Sequence, residues 1–230
     1  MMMKTKRLLE EADFDAKKLH ELEALVREGE GYKLEFKRKI NDAAKVVAEL
    51  CAFANSSGGV LLVGVNDDKQ IPGVKFPEDE SYTLQSAIAK HCKPQLKFRE
   101  SVIQVAPNRF VLQYNIAESR RKPQLFITEE GLKKVYVRHE DKTVQASIEM
   151  REVIKRKRSK RNIQFKYGEH EEALMKYLQQ HPSISFAEYL DLTKQKRFYA
   201  SKRLVTLVLA NVLEITPTER GDRYSLHSSF

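Results

Sequence analysis

The segment that most constrains the fold covers residues 52–68 and has the sequence AFANSSGGVLLVGVNDD. It joins the end of an apolar helix to a polar turn with two glycines and then to a short valine-rich run. Residues 42–55 carry apolar side chains at helical spacing, and a glycine just after them can adopt the positive φ that ends a helix. The run GVLLVGV is too short and too rich in valine to favour a helix. The segment therefore predicts a helix that passes through a glycine turn into a central strand.

This order of elements is not that of a nucleotide-binding loop. In Rossmann and P-loop proteins the glycines follow a strand and precede a helix, so that phosphate meets the helix N-terminus. Here Gly58 and Gly59 follow the predicted helix and precede the predicted strand. A Walker A loop also ends in GK[ST], which SSGGVLLVG lacks. We therefore expect neither an ATP site in this segment nor an ATPase.

The surrounding periodic patterns predict an α+β fold. Residues 16–27 have the apolar spacing of a packing helix, and another helix is expected near residues 84–91. Strand patterns occur in KLEFK, SVIQVA, RFVLQYNIA and KKVYVRH. Together they predict a mixed, mostly antiparallel sheet with flanking helices.

The composition favours a globular, basic protein. The chain has 230 residues, enough for one sizeable domain and a small one, and 41% of them are hydrophobic. Lysine and arginine number 41 against 32 aspartate and glutamate residues, which gives a formal net charge of +9. This excess bears on partners rather than on fold, and nucleic acid is the first partner that it suggests.

No sequence feature predicts a membrane or exported protein. The apolar runs are far shorter than the roughly 18 to 20 residues of a membrane helix, and the N-terminal residues lack the hydrophobic core of a secretory signal. We therefore expect a cytoplasmic protein without a membrane partner. Cys51 and Cys92 are the only cysteines and form neither a CxxC pair nor a Cys/His cluster, so buried thiols are expected rather than disulfides or a zinc site.

The predicted domain boundary lies in the basic segment at residues 151–167, REVIKRKRSKRNIQFKY. Eight basic residues are opposed there by Glu152 alone. Such a run is either the solvated end of a helix with a linker, or a polyanion contact that also tethers two domains. The predicted parts are an N-terminal arm (1–20), a first domain (21–155), a basic linker (156–167) and a second domain (168–230).

Several motifs of the first domain resemble a known family. In order and spacing, the segments EGEGYKLEFKRK, AELCAFANSSGGVLLVGVNDD, IPGV, RRKPQLF and KKVYVRHEDKTVQAS are similar to the Schlafen AlbA-like domain, a divergent Alba relative found in many bacterial proteins associated with DNA binding. The resemblance covers residues 21–155. It implies an AlbA-like fold and a link to nucleic acid, although the family is functionally heterogeneous.

The resemblance also implies a candidate catalytic and metal site. Glu30, Glu35 and Asp67 are similar to the carboxylate trio of the Schlafen RNases, and the i, i+2 spacing of Glu35 and Lys37 puts both on one face of a strand. Such a site would hold Mg²⁺ or Mn²⁺, with Lys37 stabilising phosphate charge. The alternative is that Glu35 and Lys37 form an exposed pair and that the acids after the strand are turn residues, with Asp68 competing with Asp67 for the third position. A structural or binding role is preferred to catalysis, and without catalysis no cofactor is expected.

Basic side chains near these motifs are candidates for a phosphate-binding surface, with Asn55, Ser56 and Ser57 as neutral donors. These basic residues are Lys37, Arg38, Lys39, Arg120, Arg121, Lys122 and Arg138. Phe36, Phe53 and Tyr136 are expected in the core, since only an exposed aromatic ring can stack on a base.

The second domain has the pattern helix, short helix, long helix and hairpin, with a turn at Gly221. The short helix is expected to bury Phe186, Leu190 and Leu192. This layout resembles a winged-helix domain, in which the early residues of the third helix enter the major groove and the hairpin forms a wing. The corresponding residues are Lys196, Arg197, Tyr199, Ser201, Lys202 and Arg203 on the helix, and Arg220 and Arg223 on the wing. A protein-binding winged helix is the alternative.

Three functional hypotheses follow. The first is a DNA-binding transcriptional regulator that contacts duplex DNA through the winged helix and basic surfaces, with RNA as a further nucleic-acid partner to consider. The second is a Schlafen-like, metal-dependent ribonuclease. The third is an oligomerising scaffold, and a homo-oligomer is compatible with all three.

Overall fold

The computed structural model describes residues 15–157, 163 and 165–228. The chain divides after Thr143 into two compact units, called here the first and the second unit. Both combine helices with β-strands, and antiparallel pairing predominates, as the sequence predicted. In the described part of the chain, no helix is long and apolar enough to cross a membrane.

The first unit is built on a four-stranded sheet. Its elements are α1 (Ala16–Glu28), β1 (Leu34–Lys37), α2 (Ala43–Asn55), β2 (Gly59–Val63), α3 (Pro77–His91), β3 (Cys92–Lys93), β4 (Phe98–Ala106), β5 (Arg109–Ile116), β6 (Leu125–Ile127), β7 (Lys133–Lys134) and β8 (Tyr136–His139). The sheet has the order β1–β2–β5–β4, in which β1 and β2 are parallel and the other pairs antiparallel. A small sheet has the order β3–β6–β7, and β8 pairs with β9 (Lys142–Gln145), which carries the chain past Thr143.

Helix α1 covers one face of this sheet. The Asp15 carboxylate starts the helix by accepting hydrogen bonds from the backbone N–H groups of Lys17 and Lys18, at 3.0 and 3.2 Å. Leu22 and Val26 are buried in one cluster with Leu34, Phe36, Leu62 and Val65 from β1, β2 and the turn after β2. One face of the short edge strand β1 is therefore fixed by apolar packing.

Helix α2 packs in the main core, which includes Leu61 and Val63 of β2. The Asp42 carboxylate caps its first turn by accepting from the Lys45 N–H at 3.0 Å. After the helix, Gly58 adopts a φ of +74° and donates its N–H to the Phe53 carbonyl at 2.9 Å. A Cβ at Gly58 would lie 2.6 Å from the Ile116 carbonyl oxygen, so glycine is required here by both φ and space. The predicted order of helix, glycine turn and strand is confirmed. It is the reverse of the strand, glycine loop and helix of a phosphate-binding loop.

The second unit contains α4 (Ile148–Arg156), α5 (Glu169–Gln180), β10 (Ile184–Ser185), α6 (Phe186–Thr193), α7 (Arg197–Leu209), β11 (Leu213–Thr216) and β12 (Arg223–Leu226). Its three strands form an antiparallel sheet in the order β10–β12–β11. Leu174, Leu178, Ala200, Leu204 and Tyr224 belong to its core. Of the predicted basic linker, residues 158–162 and 164 lie outside the described residues.

One core prediction for this unit was wrong. Leu192 is 37% exposed, whereas Tyr189, which the sequence pattern did not single out, is fully buried. Helix α6 has eight residues and ends where Lys194 adopts a φ of +51°. Tyr189 and Leu190 lie three and four positions after Phe186 and share its helix face, whereas Leu192 lies six positions after Phe186, roughly 120° away from it around the helix.

Candidate functional site

The charged residues of β1 form an interior ion-pair network. Glu35 is 8% exposed and pairs through Oε1 with Nζ of Lys37. The same Nζ lies 3.3 Å from Oε2 of Glu49 on α2, and Oε2 of Glu35 lies 3.0 Å from Nη1 of Arg138 on β8. Glu35 and Lys37 do share a strand face, as the sequence predicted. The alternative of an exposed pair was wrong, because Glu35 is enclosed between two cations.

Arg138 is held on several sides. Its Nη1 also donates to Oγ1 of Thr143 at 3.0 Å, and its Nη2 donates to the carbonyls of Gly31 and Asp141 at 2.7 and 2.9 Å. The guanidinium lies 4.8 Å from the centre of the Phe53 ring. Because its side chain is 1% exposed, Arg138 does not line a phosphate surface in this structure. That prediction is corrected: the guanidinium is buried, so a phosphate at the surface cannot reach it even though its Nε has no hydrogen-bond partner.

The network shifts the pKa of its members. Burial raises the pKa of Glu49, and the nearby charge of Glu35 raises it further. Burial lowers the pKa of Lys37, but its hydrogen bond to Glu35 and the charges of Glu49 and Glu35 outweigh burial and raise the pKa above its ordinary value. Lys37 therefore remains a cation at neutral pH and forms ion pairs with two carboxylates.

Glu30 has a structural task at the sheet edge. Its Oε1 accepts a hydrogen bond from the Phe36 backbone N–H at 2.8 Å, on the edge strand β1. Partial burial raises the pKa of Glu30, the hydrogen bond from Phe36 opposes this, and the charges of Glu35 and Asp67 raise the pKa further. The charges of the predicted trio thus act on one another, while Glu30 is also bound to backbone.

The three carboxylates of the predicted trio have different surroundings. Among residues 15–157, 163 and 165–228, no group of three or more His, Cys, Asp or Glu side chains is placed to hold a metal ion. Both carboxylate oxygens of Glu35 face cations, and Asp67 is exposed in the turn after β2. In the same turn, Asp68 accepts a hydrogen bond from the Gln70 N–H at 3.0 Å. The structure does not bring Glu30, Glu35 and Asp67 together as a metal centre.

The polar residues around the end of α2 also form hydrogen bonds within the protein. Nζ of Lys122 donates to the carbonyls of Asn55 and Ser56 at 2.7 and 3.0 Å, which satisfies two carbonyls at the helix C-terminus. The buried Asn55 side chain donates to the carbonyls of Gln124 and Tyr136, both at 2.9 Å. Sequence reasoning assigned Asn55 and Lys122 to a binding surface and missed this role. By contrast, Arg38, Lys39, Arg120 and Arg121 are exposed.

Two of the predicted DNA-contacting arginines in the second unit hold the unit together. Nη1 of Arg203 pairs with Oε1 of the buried Glu171. Nη1 of Arg223 lies 2.9 Å from Oε2 of Glu188, and its Nε donates to Oγ of Ser183 at 3.1 Å. Their cations are therefore partly neutralised by neighbouring carboxylates.

The start of α7 is different, because its cations are exposed. The first turn contains no acidic residue, and Lys196 precedes it as the N-cap residue. The exposed members of the predicted set in this unit are Lys196, Arg197, Tyr199 and Lys202 on or next to α7, and Arg220 in the hairpin turn. The guanidinium of Arg197 lies 4.7 Å from the centre of the Phe186 ring, which fixes it at the base of the helix.

Sequence reasoning overlooked Phe198. This side chain is 71% exposed, and its ring centre lies 5.5 Å from that of Tyr199 in an edge-to-face arrangement. No local signal identifies it, since Val205, seven residues later on the same side of α7, is only 3% exposed.

The described residues form an α+β fold. The family model described as Schlafen, AlbA_2 matches residues 30–147, about half of the chain, and the chain belongs to this family. The resemblance seen in the sequence motifs is confirmed. Membership of the family supports an interaction with nucleic acid.

Two solved structures show remote similarity. The DIP2311 protein from Corynebacterium diphtheriae is 15% identical, with a TM-score of 0.42 over 83% of this chain, and the chain spans 34% of that protein's structure. The N-terminal domain of a RecG-related protein from Nitrosomonas europaea is 24% identical, with a TM-score of 0.41 over 51% of this chain and 87% of the domain.

Proposed function

We propose that the protein is a DNA-binding transcriptional regulator whose second unit is a winged-helix domain that contacts duplex DNA. The order α5, β10, α6, α7, β11, β12 is the order expected for this class of domain, with α7 as the third helix and β11–β12 as the wing. The observation that carries the proposal is the exposed, acid-free and basic start of α7.

Two physical effects favour anion binding at this position. The N-terminus of a helix carries a partial positive charge and unpaired backbone N–H groups, which attract phosphate. Lys196, Arg197 and Lys202 add three side-chain cations to that end of α7. Arg220 at the hairpin turn is free of the pairing that holds Arg223 against Glu188, so it is the proposed wing contact. Arg120 and Arg121 supply exposed positive charge in the first unit.

The test compares two charge-matched double variants in duplex binding at several salt concentrations. Arg197→Ala with Lys202→Ala removes two exposed cations of α7, while the paired Arg203 stays in place to preserve the core. We expect about tenfold weaker binding at low salt and a salt slope smaller by about 2, since each phosphate contact contributes about 0.9 to that slope. The control, Lys97→Ala with Arg99→Ala, removes two exposed cations of the first unit and is expected to leave binding unchanged. Failure of the wild-type protein to bind duplex DNA at low salt would refute the proposal.

A Schlafen-like ribonuclease is the second candidate. The observation in its favour is that the charges of Glu35 and Asp67 both act on Glu30, and the observation against it is that Glu35 is held between Lys37 and Arg138. Incubation with tRNA in Mn²⁺ or in EDTA separates the candidates. Cutting that needs Mn²⁺ and is lost in Asp67→Asn, but not in the neighbouring turn variant Asp68→Asn, would establish the nuclease. Both positions are exposed, so neither change should disturb folding.

A further inference from the structure

The exposed rings at the start of α7 form a distinct surface, called here the aromatic pair (Phe198 and Tyr199). Phe198 is 71% exposed and is the most exposed large apolar side chain in the described parts of the chain, and Tyr199 is 59% exposed. The two rings meet edge to face, with an angle of 78° between their planes. Adjacent large aromatic rings left in water on a domain that has its own packed core mark a binding surface.

The surroundings of the aromatic pair are rich in cations, and Tyr199 borders a small recess. Lys196, Arg197 and Lys202 lie within four residues of it on the same helix end. Tyr199 and Lys202 also line a cavity of about 260 Å³, together with Phe165, Lys166, Glu171, Arg203, Thr206 and Leu207. Ligand pockets for drug-sized molecules have about 300–1,000 Å³, so this recess is smaller than such a ligand requires. Aromatic rings beside cations are the combination that binds unpaired nucleotides, in which bases stack and phosphates meet positive charge.

We infer that the aromatic pair stacks on an unpaired nucleobase, so that the second unit prefers DNA in which a duplex meets a single strand. The inference rests on the proposed function, because α7 must first lie against DNA. In an uninterrupted duplex the base faces are covered by their neighbours, and the major groove offers mainly polar edges. An exposed phenylalanine gains little from such edges, whereas stacking on a free base strengthens binding by about 5- to 150-fold per base.

Charge complementarity favours a nucleotide over an apolar protein partner. The start of α7 contains no acidic residue, and the exposed charged side chains of α7 and its N-cap are Lys196, Arg197 and Lys202. Glu171, which lines the cavity beside Tyr199, is buried and paired with Arg203. Charged residues are depleted at the centre of protein–protein interfaces, where aromatic anchors meet apolar pockets. A polyanion with exposed base faces matches both the rings and the charges.

The experiment compares three DNA probes: a duplex of about two helical turns, the same duplex with a short single-stranded extension, and that single strand alone. The extension carries 2-aminopurine at its first unpaired position, and the chain contains no tryptophan that would interfere with its fluorescence. We expect the extended duplex to bind about tenfold more tightly than the paired duplex and the 2-aminopurine fluorescence to fall on binding.

Two double variants isolate the rings. Phe198→Ala with Tyr199→Ala is expected to abolish the fluorescence change and the tenfold preference, so that the extended duplex binds no more tightly than the paired duplex. Phe76→Ala with Tyr82→Ala is the matched control, because these first-unit rings are 54% and 61% exposed. This control variant should keep the wild-type preference for the extended duplex and the wild-type fluorescence change. Circular dichroism confirms that both variants fold.

Each other outcome overturns the inference. Equal affinity for paired and extended duplex, without a fluorescence change, would refute it and leave the proposed function intact. An equal loss of affinity for both probes in Phe198→Ala with Tyr199→Ala would show that the rings contact paired DNA. A third outcome is that the protein self-associates only when the aromatic pair is present and shows no preference for the extended duplex. The rings would then be a contact between two copies of the chain. Absence of binding to any of the probes would refute the proposed function as well.

Discussion

Nη1 of Arg138 lies 3.0 Å from Oε2 of Glu35, although the two residues are 103 positions apart in the chain. This ion pair joins the strands β1 and β8 inside the first unit. Both side chains are almost completely removed from water, so the energy of each charge depends on the other.

Removal of Arg138 should therefore destabilise the protein strongly. We expect Arg138→Ala to lower the free energy of unfolding by about 3–5 kcal/mol, because it leaves the Glu35 carboxylate buried beside Lys37 alone. Urea denaturation measures this loss. Arg121→Ala removes an exposed arginine of the same unit and should change stability by no more than about 0.5 kcal/mol. The double variant Arg138→Met with Glu35→Leu should recover part of the loss, and equal destabilisation by Arg138→Ala and Arg121→Ala would contradict the buried pair.

Glu49 should make stability depend on pH. Its folded-state pKa is raised above the ordinary value of 4.5, first by burial and then by Glu35. A raised carboxyl pKa means that the folded state holds the proton more tightly than the unfolded state, so this contribution to stability is present below pH 4.5 and is lost as pH rises through the folded pKa. Glu49→Gln removes the titration. We expect the stability of the wild-type protein to fall relative to that of Glu49→Gln above pH 4.5, as measured by urea denaturation at several pH values. A constant difference across this range would contradict the shift.

The core of the second unit should distinguish Tyr189 from Leu192. Tyr189 is fully buried, so Tyr189→Ala should cost about 3–5 kcal/mol of unfolding free energy, as for other large aromatic side chains. Leu192→Ala, three residues later on the exposed side of α6, should cost about 0.5 kcal/mol or less. Thermal or urea unfolding of the two variants gives the comparison, and a larger cost for Leu192→Ala would restore the pattern expected from sequence.

The two cysteines should be unreactive in the folded protein. Sγ of Cys51 lies 3.3 Å from Sγ of Cys92, and both residues are buried. The hydrogen bond to Cys92 and burial raise the pKa of the Cys51 thiol, whereas the hydrogen bond from Cys51 lowers the pKa of Cys92. Burial is therefore what keeps the reagent from both thiols. We expect Ellman's reagent to modify neither thiol in the native protein at mildly alkaline pH and both after unfolding in urea. Rapid native modification at either position would show that the core around α2 opens readily.

The local features of the fold were predictable from the sequence. The strand β1, the helix α2 and the glycine turn after it depend on neighbouring residues, and each is found where the pattern placed it. Burial of Phe36 and Phe53 follows from the same patterns. Such features need no knowledge of distant contacts.

The candidate site was less predictable, because its charges are defined by contacts distant in sequence. Nothing near Arg138 in the chain indicates that Glu35 will bind it, and nothing near Lys122 indicates that it will bind the end of α2. Sequence alone therefore treats each of these cations as free for phosphate. The exposure of Phe198 was not predictable either, because Val205, seven residues later on the same side of α7, is buried.

The segment before β1 also limits how copies of this chain can associate. The outward N–H of Phe36 is bound by the Glu30 carboxylate, and the backbone of Leu34 pairs with that of Gly31, at 3.0 and 3.4 Å. Unprotected edge strands invite pairing with a second chain, and this edge is covered by the residues that precede it. A copy that added its own strand to β1 would have to displace Glu30 and Gly31 first. Glu30 therefore protects this edge of the sheet against pairing with strands of other copies. It is the same residue whose spacing from Glu35 in the sequence resembles that of the Schlafen RNases.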